Sequence, residues 1–237
     1  MKIATFNING IRARIEALPA WLAAASPDVV LLQEIKSIDE GFPREMFEDM
    51  GYQVETHGQK SFNGVAILSK LPLEDVSRGL PGDESDEQAR WIEATIAGKS
   101  ALRLCGLYLP NGNPAPGPKY DYKLAWMERL RLHAASLLEE DDVVVLGGDY
   151  NVIPTDDDVY NPRAFDQDAQ VAVGKTEALN DLADGAVVTD FARGGGVALR
   201  IELGGQNLTI RSLVRLASGL GVRTVELFQK PATRATK

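Results

Sequence analysis

Apolar positions along this chain follow two rhythms. Short runs of β-branched residues and leucine mark strands buried on one or both faces, and apolar residues three or four apart mark helices. Lys2–Asn7 (KIATFN) alternates and ends in an amide, which predicts a strand handing Asn7 to a loop. Beyond it Ile11, Ile15, Leu18 and Leu22 fall at helical spacing, interrupted by Pro19, so two short helical pieces are expected. Val29–Leu32 is a second buried strand, with Gln33 and Glu34 at its carboxyl end. FPREMFEDMGYQVE reads as a short helix and a strand, and GQKSFNGVAILSKLP as a loop, a buried strand and a proline stop. Gly79–Gln88 is acidic and turn-rich, an exposed loop. RWIEATIAG and SALRLCGLYLP form an antiparallel pair joined at Gly98. After Tyr108 comes PNGNPAPGPKYDYK, a loop long enough to suggest function, and then Leu124, Met127, Leu130, Leu137 and Leu138 mark a long amphipathic helix.

The stretch around which the rest is organised is Val143–Asn151 (VVVLGGDYN), read as a strand buried on both faces that two glycines turn tightly, delivering Asp149 and Asn151 at its carboxyl end. Ligands of open sheets sit at such ends, and glycines let a backbone approach a bound group closely. A bland alternative is an Asx-turn in which Asp149 and Asn151 bond only local amides. Strand, helix and strand at the start of the chain imply a crossover unit, which sets Asn7 and Glu34 side by side on one sheet edge. An amide and a carboxylate there are hard oxygen ligands, of the kind Mg²⁺ takes while keeping several waters. Lys60, Ser61, Phe62 and Asn63 form either a phosphate-facing surface or a solvated turn. His57 and His133, the two histidines, read as structural.

Composition narrows the classes. The chain has 237 residues, 44% hydrophobic and 25% charged, which is ordinary for a globular protein. One cysteine, Cys105, lies in an apolar run; no internal disulfide can form, and a reducing, cytoplasmic setting is expected. No apolar run reaches membrane-spanning length, and the start is too short and polar for a signal peptide. The net charge of −9 argues against binding nucleic acid through a basic surface, but a divalent cation in a carboxylate site reverses the local sign that a phosphate meets.

Taken in order, TFNINGIRA, LLQEIK, GQKSFNGVAILSK, YLPNG and GGDYN strongly resemble the exonuclease III family of DNA-repair nucleases, within the endonuclease/exonuclease/phosphatase superfamily. The similarity runs from Met1 to about Ala169. It implies an α/β fold, a four-layer α/β sandwich, and Mg²⁺- or Mn²⁺-dependent cleavage of phosphodiesters in duplex DNA, at 3′ ends and at abasic sites. By resemblance, Asn7 and Glu34 hold the metal, with Glu34 the direct ligand. Tyr108 lies against the scissile phosphate, Asp149 positions or activates the attacking water, and Asn151 binds the phosphate or orients that aspartate. Lys119 and Lys123 would add phosphate contacts.

The pattern then breaks. The family's later Asn-Gly-x-Arg-Ile-Asp and Ser-Asp-His segments are missing; Arg200, Ile201 and Glu202 only echo the first, and no histidine follows His133. Residues 1–171 are therefore expected to form the front part of the sandwich, incomplete in its second half, and 172–237 a divergent tail resembling the end of a lambda-repressor-like helix-turn-helix domain. A truncated or hybrid reading frame, with reduced or lost activity and a tendency to self-associate, is the expectation. The alternative function is a non-catalytic DNA-binding or regulatory hybrid.

Overall fold

The computed structural model describes residues 1–97, 101–139, 143–153, 162–165, 168–170, 188–190 and 200–202. Two four-stranded sheets organise it. In the first, β1 (Ile3–Asn7) and β2 (Val29–Gln33) run parallel, and β4 (Val65–Ser69) and β3 (Gln53–His57) follow antiparallel, in the order β1-β2-β4-β3. In the second, β5 (Glu74–Arg78), β6 (Trp91–Ile96) and β7 (Leu102–Tyr108) are antiparallel, and β8 (Val143–Asp149) closes the order β5-β6-β7-β8 as a parallel neighbour of β7. A separate antiparallel pair joins β9 (Val188–Asp190) to β10 (Arg200–Glu202). The helices are α1 (Ala17–Ala25), α2 (Arg44–Glu48) and α3 (Pro118–Glu139).

The period of two explains the layers. From β2 and β4, Val29, Leu31, Val65 and Ile67 point between the sheets, where they meet Ile92, Ala94, Leu102 and Leu104 of the facing sheet. The intervening Val30, Leu32, Ala66 and Leu68 point the other way, onto Leu18 and Leu22 of α1 and Phe47 of α2. Trp91, Cys105 and Leu107 turn outward from the second sheet onto Trp126, Met127, Leu130 and Leu137 of α3. The result is helix, sheet, sheet, helix: a four-layer α/β sandwich. Burying one Val, Leu or Ile contributes about 1.5–3 kcal/mol, against about 1 kcal/mol for a typical hydrogen bond. The core between the sheets therefore fixes how they sit, and the polar groups at their ends follow.

Several expectations change. The helical break falls before Pro19: a 3-10 turn spans Arg12–Arg14, α1 begins at Ala17, and Pro19 occupies its first turn, where a missing N–H costs nothing. Gly147 and Gly148 lie inside β8, in neither case turning the chain. A Cβ on Gly147 would meet Leu31 Cδ1 at 2.6 Å and one on Gly148 would meet the Leu107 carbonyl oxygen at 2.0 Å, so the pair permits close packing across and along the sheet. β8 is the outer strand of the four and is only partly buried. The long loop stops at Gly117, so Lys119 and Lys123 are helical. Leu138 is exposed, pointing off the apolar face of α3. In the acidic loop Asp86 turns inward, paired with Arg129 and accepting from the Tyr122 hydroxyl. His133 bonds Glu93 at 2.8 Å, and His57 lies 3.0 Å from the Trp91 carbonyl. The Gly98 connection, the boundary at Val171–Thr176 and the helix-turn-helix tail lie outside the described residues.

Candidate active site

Parallel strands bring their carboxyl ends to the same side, and each of the two four-stranded sheets contains one parallel pair. In the first, Asn7 stands opposite Gln33, so Glu34 emerges beside it; in the second, Tyr108 stands opposite Asp149. Face-to-face packing then sets the two pairs together. Asn7 Nδ2 donates to Glu34 Oε1 and to Asp149 Oδ2, both at 2.8 Å, so one amide bridges carboxylates from the two sheets. The Tyr108 hydroxyl donates to the same Glu34 Oε1, at 2.8 Å.

Glu34 adopts a left-handed backbone, φ +52°, immediately after β2. Its amide neighbours are held firmly: Ile8 N donates to Gln33 O and Gly10 N to Glu34 O, while Ile35 N donates across to Gly64 O. Partial burial opposes ionisation of the Glu34 carboxyl, but the donors Asn7, Lys36 and Tyr108 together outweigh it and hold the group below its usual value. Burial, reinforced by the bond to Glu34, raises the Tyr108 phenol well above its ordinary value, so it remains a donor at neutral pH. Asn151, also left-handed at φ +47°, donates its backbone N–H to Asp149 Oδ1 at 2.9 Å. Its side chain turns away, to Leu109 O at 2.8 Å and toward Gln170. The Asx-turn and the convergent site thus coexist at Asp149.

Other placements differ from the sequence reading. Lys123 is fully buried, with its ammonium on two backbone carbonyls, and offers no phosphate contact; Lys119 is exposed. Lys60, Ser61 and Phe62 are exposed, but Asn63 is buried and bonded to Gln59 and Gln88. Three neighbours were not anticipated. Lys36 pairs with Glu34 Oε2 at 2.9 Å and reaches Asn9 Oδ1, whose own N–H donates to Asn7 Oδ1. Arg90 lies over the Tyr108 ring, 4.8 Å from its centre, and donates to the Tyr108 carbonyl. The LLQEIK segment carried the signal for Lys36, two positions beyond Glu34; Arg90 had none.

Two carboxylates and an amide meeting at strand ends suit a hard divalent ion that keeps part of its water shell. Among the described residues no three His, Cys, Asp or Glu side chains are grouped so as to hold a metal by themselves.

With that geometry in place, similarity to known proteins has a structural basis. The chain belongs to the endonuclease/exonuclease/phosphatase family, whose model matches residues 4–207. Within it the chain falls in the exonuclease III branch. It is 38% identical to the exodeoxyribonuclease III of Haemophilus influenzae over 67% of its own length and 60% of that protein's, so it spans about three fifths of that relative. An AP endonuclease from Archaeoglobus fulgidus superposes with a TM-score of 0.71 at 36% identity, covering 78% of this chain and 70% of that one. A 3′-5′ exonuclease from Neisseria meningitidis gives 0.71 at 34% identity, covering 78% and 71%. No helix among the described residues is long and apolar enough to cross a membrane.

Proposed function

We propose that this chain is a divalent-metal-dependent nuclease of the exonuclease III type, acting in the cytoplasm on phosphodiesters of duplex DNA at 3′ ends and abasic sites. The observation that carries the proposal is the junction of Asn7, Glu34, Tyr108 and Asp149 through bonds of 2.8 Å. A solved relative described as a 3′ phosphatase from Neisseria is bound to a product DNA hairpin, which favours DNA as the partner.

Glu34, with Asn7 beside it, would hold Mg²⁺ or Mn²⁺; when bound, the ion supplies polarisation of a phosphoryl oxygen and offsets its charge. The remaining chemistry belongs to the protein. Tyr108, kept protonated, would turn its single O–H from Glu34 to a phosphate oxygen as charge builds there. Asp149 accepts a proton from the attacking water and fixes its direction, and the Asn151 N–H holds that carboxylate in place. Exposed Lys119 adds a contact to the DNA backbone.

Release of nucleotides from a duplex 3′ end, and nicking at an abasic site, are measured with and without Mg²⁺ or Mn²⁺. Glu34→Ala is expected to lower either rate at least about 100-fold, since it removes a ligand and the acceptor for three donors. Activity independent of metal would reject the assignment. A second reading is a non-catalytic DNA-binding or regulatory hybrid. It predicts duplex binding without products at any metal concentration, with residues 1–171 carrying the site and 172–237 forming a separate tail.

A further inference from the structure

Lys123 stands where a helix facing a core ordinarily carries an apolar residue. The buried stripe of α3 runs Lys123, Trp126, Met127, Leu130, Ala134 and Leu137, at the spacing of a helix face, and Lys123 is as completely buried as the leucine two turns on. Among the described residues no side chain pairs with its ammonium. It donates to Asn111 O at 3.2 Å and Asn151 O at 2.5 Å, with the charges of Asp168 and Asp149 nearby. A buried ammonium is costly, and packing alone would be served better by Met or Leu. What the cation contributes is a tie between two segments that have no regular structure of their own.

One tied segment is the loop after β7, where Gly112 (φ +88°) lies so close to the lysine that a Cβ there would come 2.6 Å from Lys123 Cδ. The other is the turn after β8, in which Asn151 is held left-handed. Asn151 is gripped from four sides: its N–H by Asp149, its side-chain N–H by Leu109 O, its side-chain oxygen by Gln170, and its carbonyl by Lys123. Loss of the last grip frees the turn that sets the direction of the Asp149 carboxylate.

We infer that Lys123 is a positioning residue for Asp149, acting through the Asn151 carbonyl and the Asn111–Gly112 loop, and that its cation serves catalysis and never touches DNA. This rests on the nuclease reading above. Burial lowers the lysine to a pKa of about 8, which leaves the ammonium mostly charged at neutral pH.

Wild type, Lys123→Met and Gly112→Ala are compared by steady-state cleavage of an abasic-site duplex and by amide hydrogen exchange of segments 109–113 and 149–153. Gly112→Ala keeps the charge but drives the lysine stem aside, so the comparison survives if Lys123→Met folds poorly. Both variants are expected to lower kcat about 10- to 100-fold with KM within about twofold, as a displaced reacting group does. Exchange in both segments should quicken at least about tenfold while the β7 amides stay unchanged. Unaltered kcat, or exchange that quickens throughout the molecule instead of in these segments, overturns the inference and leaves the nuclease reading standing. If wild type cuts nothing with either metal, the nuclease reading fails separately. The exchange result then decides alone whether Lys123 ties the two segments.

Discussion

Gly148→Ala is the substitution whose outcome the geometry constrains most tightly. An ideal Cβ at this position lies 2.0 Å from Leu107 O, 2.8 Å from Leu107 C and 2.9 Å from Leu107 Cγ. Two of those atoms are backbone of the neighbouring strand, so no rotamer change relieves the contact. β8 must draw away from β7 by about 1 Å, which weakens two or more bonds of their parallel ladder at about 1 kcal/mol each and adds about 1–3 kcal/mol of overpacking. The smaller freedom of alanine in the unfolded chain returns about 0.4–1 kcal/mol. The net loss is roughly 2–5 kcal/mol, or a urea midpoint lower by about 0.7–2.5 M for a slope of roughly 2–3 kcal/mol per M. Gly147→Ala is the control, since its Cβ meets only Leu31 Cδ1 at 2.6 Å, the movable end of a side chain, with the next atom at 4.0 Å. It should cost about 1–2 kcal/mol. Urea unfolding of the three proteins, followed by tryptophan fluorescence, decides the matter; equal midpoints for the two variants would refute the packing argument for this glycine pair.

Two pH dependences follow from buried charges. The Lys123 ammonium has a folded pKa of about 8, below its unfolded value of 10.5, so between those values the unfolded chain holds more protons and stability rises with pH. The gain is about 3 kcal/mol in full, and the rise measured in urea between pH 8 and 10 should be absent from Lys123→Met. Glu93 has the same sign in the acid range: burial alone would raise its carboxyl, but the His133 bond and the charges of His133 and Arg103 outweigh this and lower it. Its contribution is complete above the unfolded carboxylate value and is lost as pH falls through the folded one. Thermal midpoints of wild type should therefore drop toward acid more steeply than those of Glu93→Gln, and parallel curves would contradict it.

Strands and their order of appearance were readable because buried runs such as Val29–Leu32 and the alternation from Trp91 to Ile96 announce themselves locally. The pairing of Asn7 with Glu34 was readable too, since a strand–helix–strand unit has few alternatives. What the chain concealed depends on contacts between distant segments. Gly147 and Gly148 look like turn formers, and only the packed sheets reveal Leu31 and the Leu107 carbonyl pressing on them. Lys123 looks like a surface charge because two carbonyls, one from each of two remote loops, cannot be seen in a helical pattern. Asn151 offered its side chain to the eye, yet its backbone N–H faces Asp149.

The amide of Asn7 reaches Glu34 on one layer and Asp149 on the other. A slip between the layers of even one ångström would part those groups while leaving every strand intact. Such a molecule would still look folded by circular dichroism and would have lost its chemistry, so the reaction centre is a more sensitive gauge of how the layers are aligned than any measure of secondary structure.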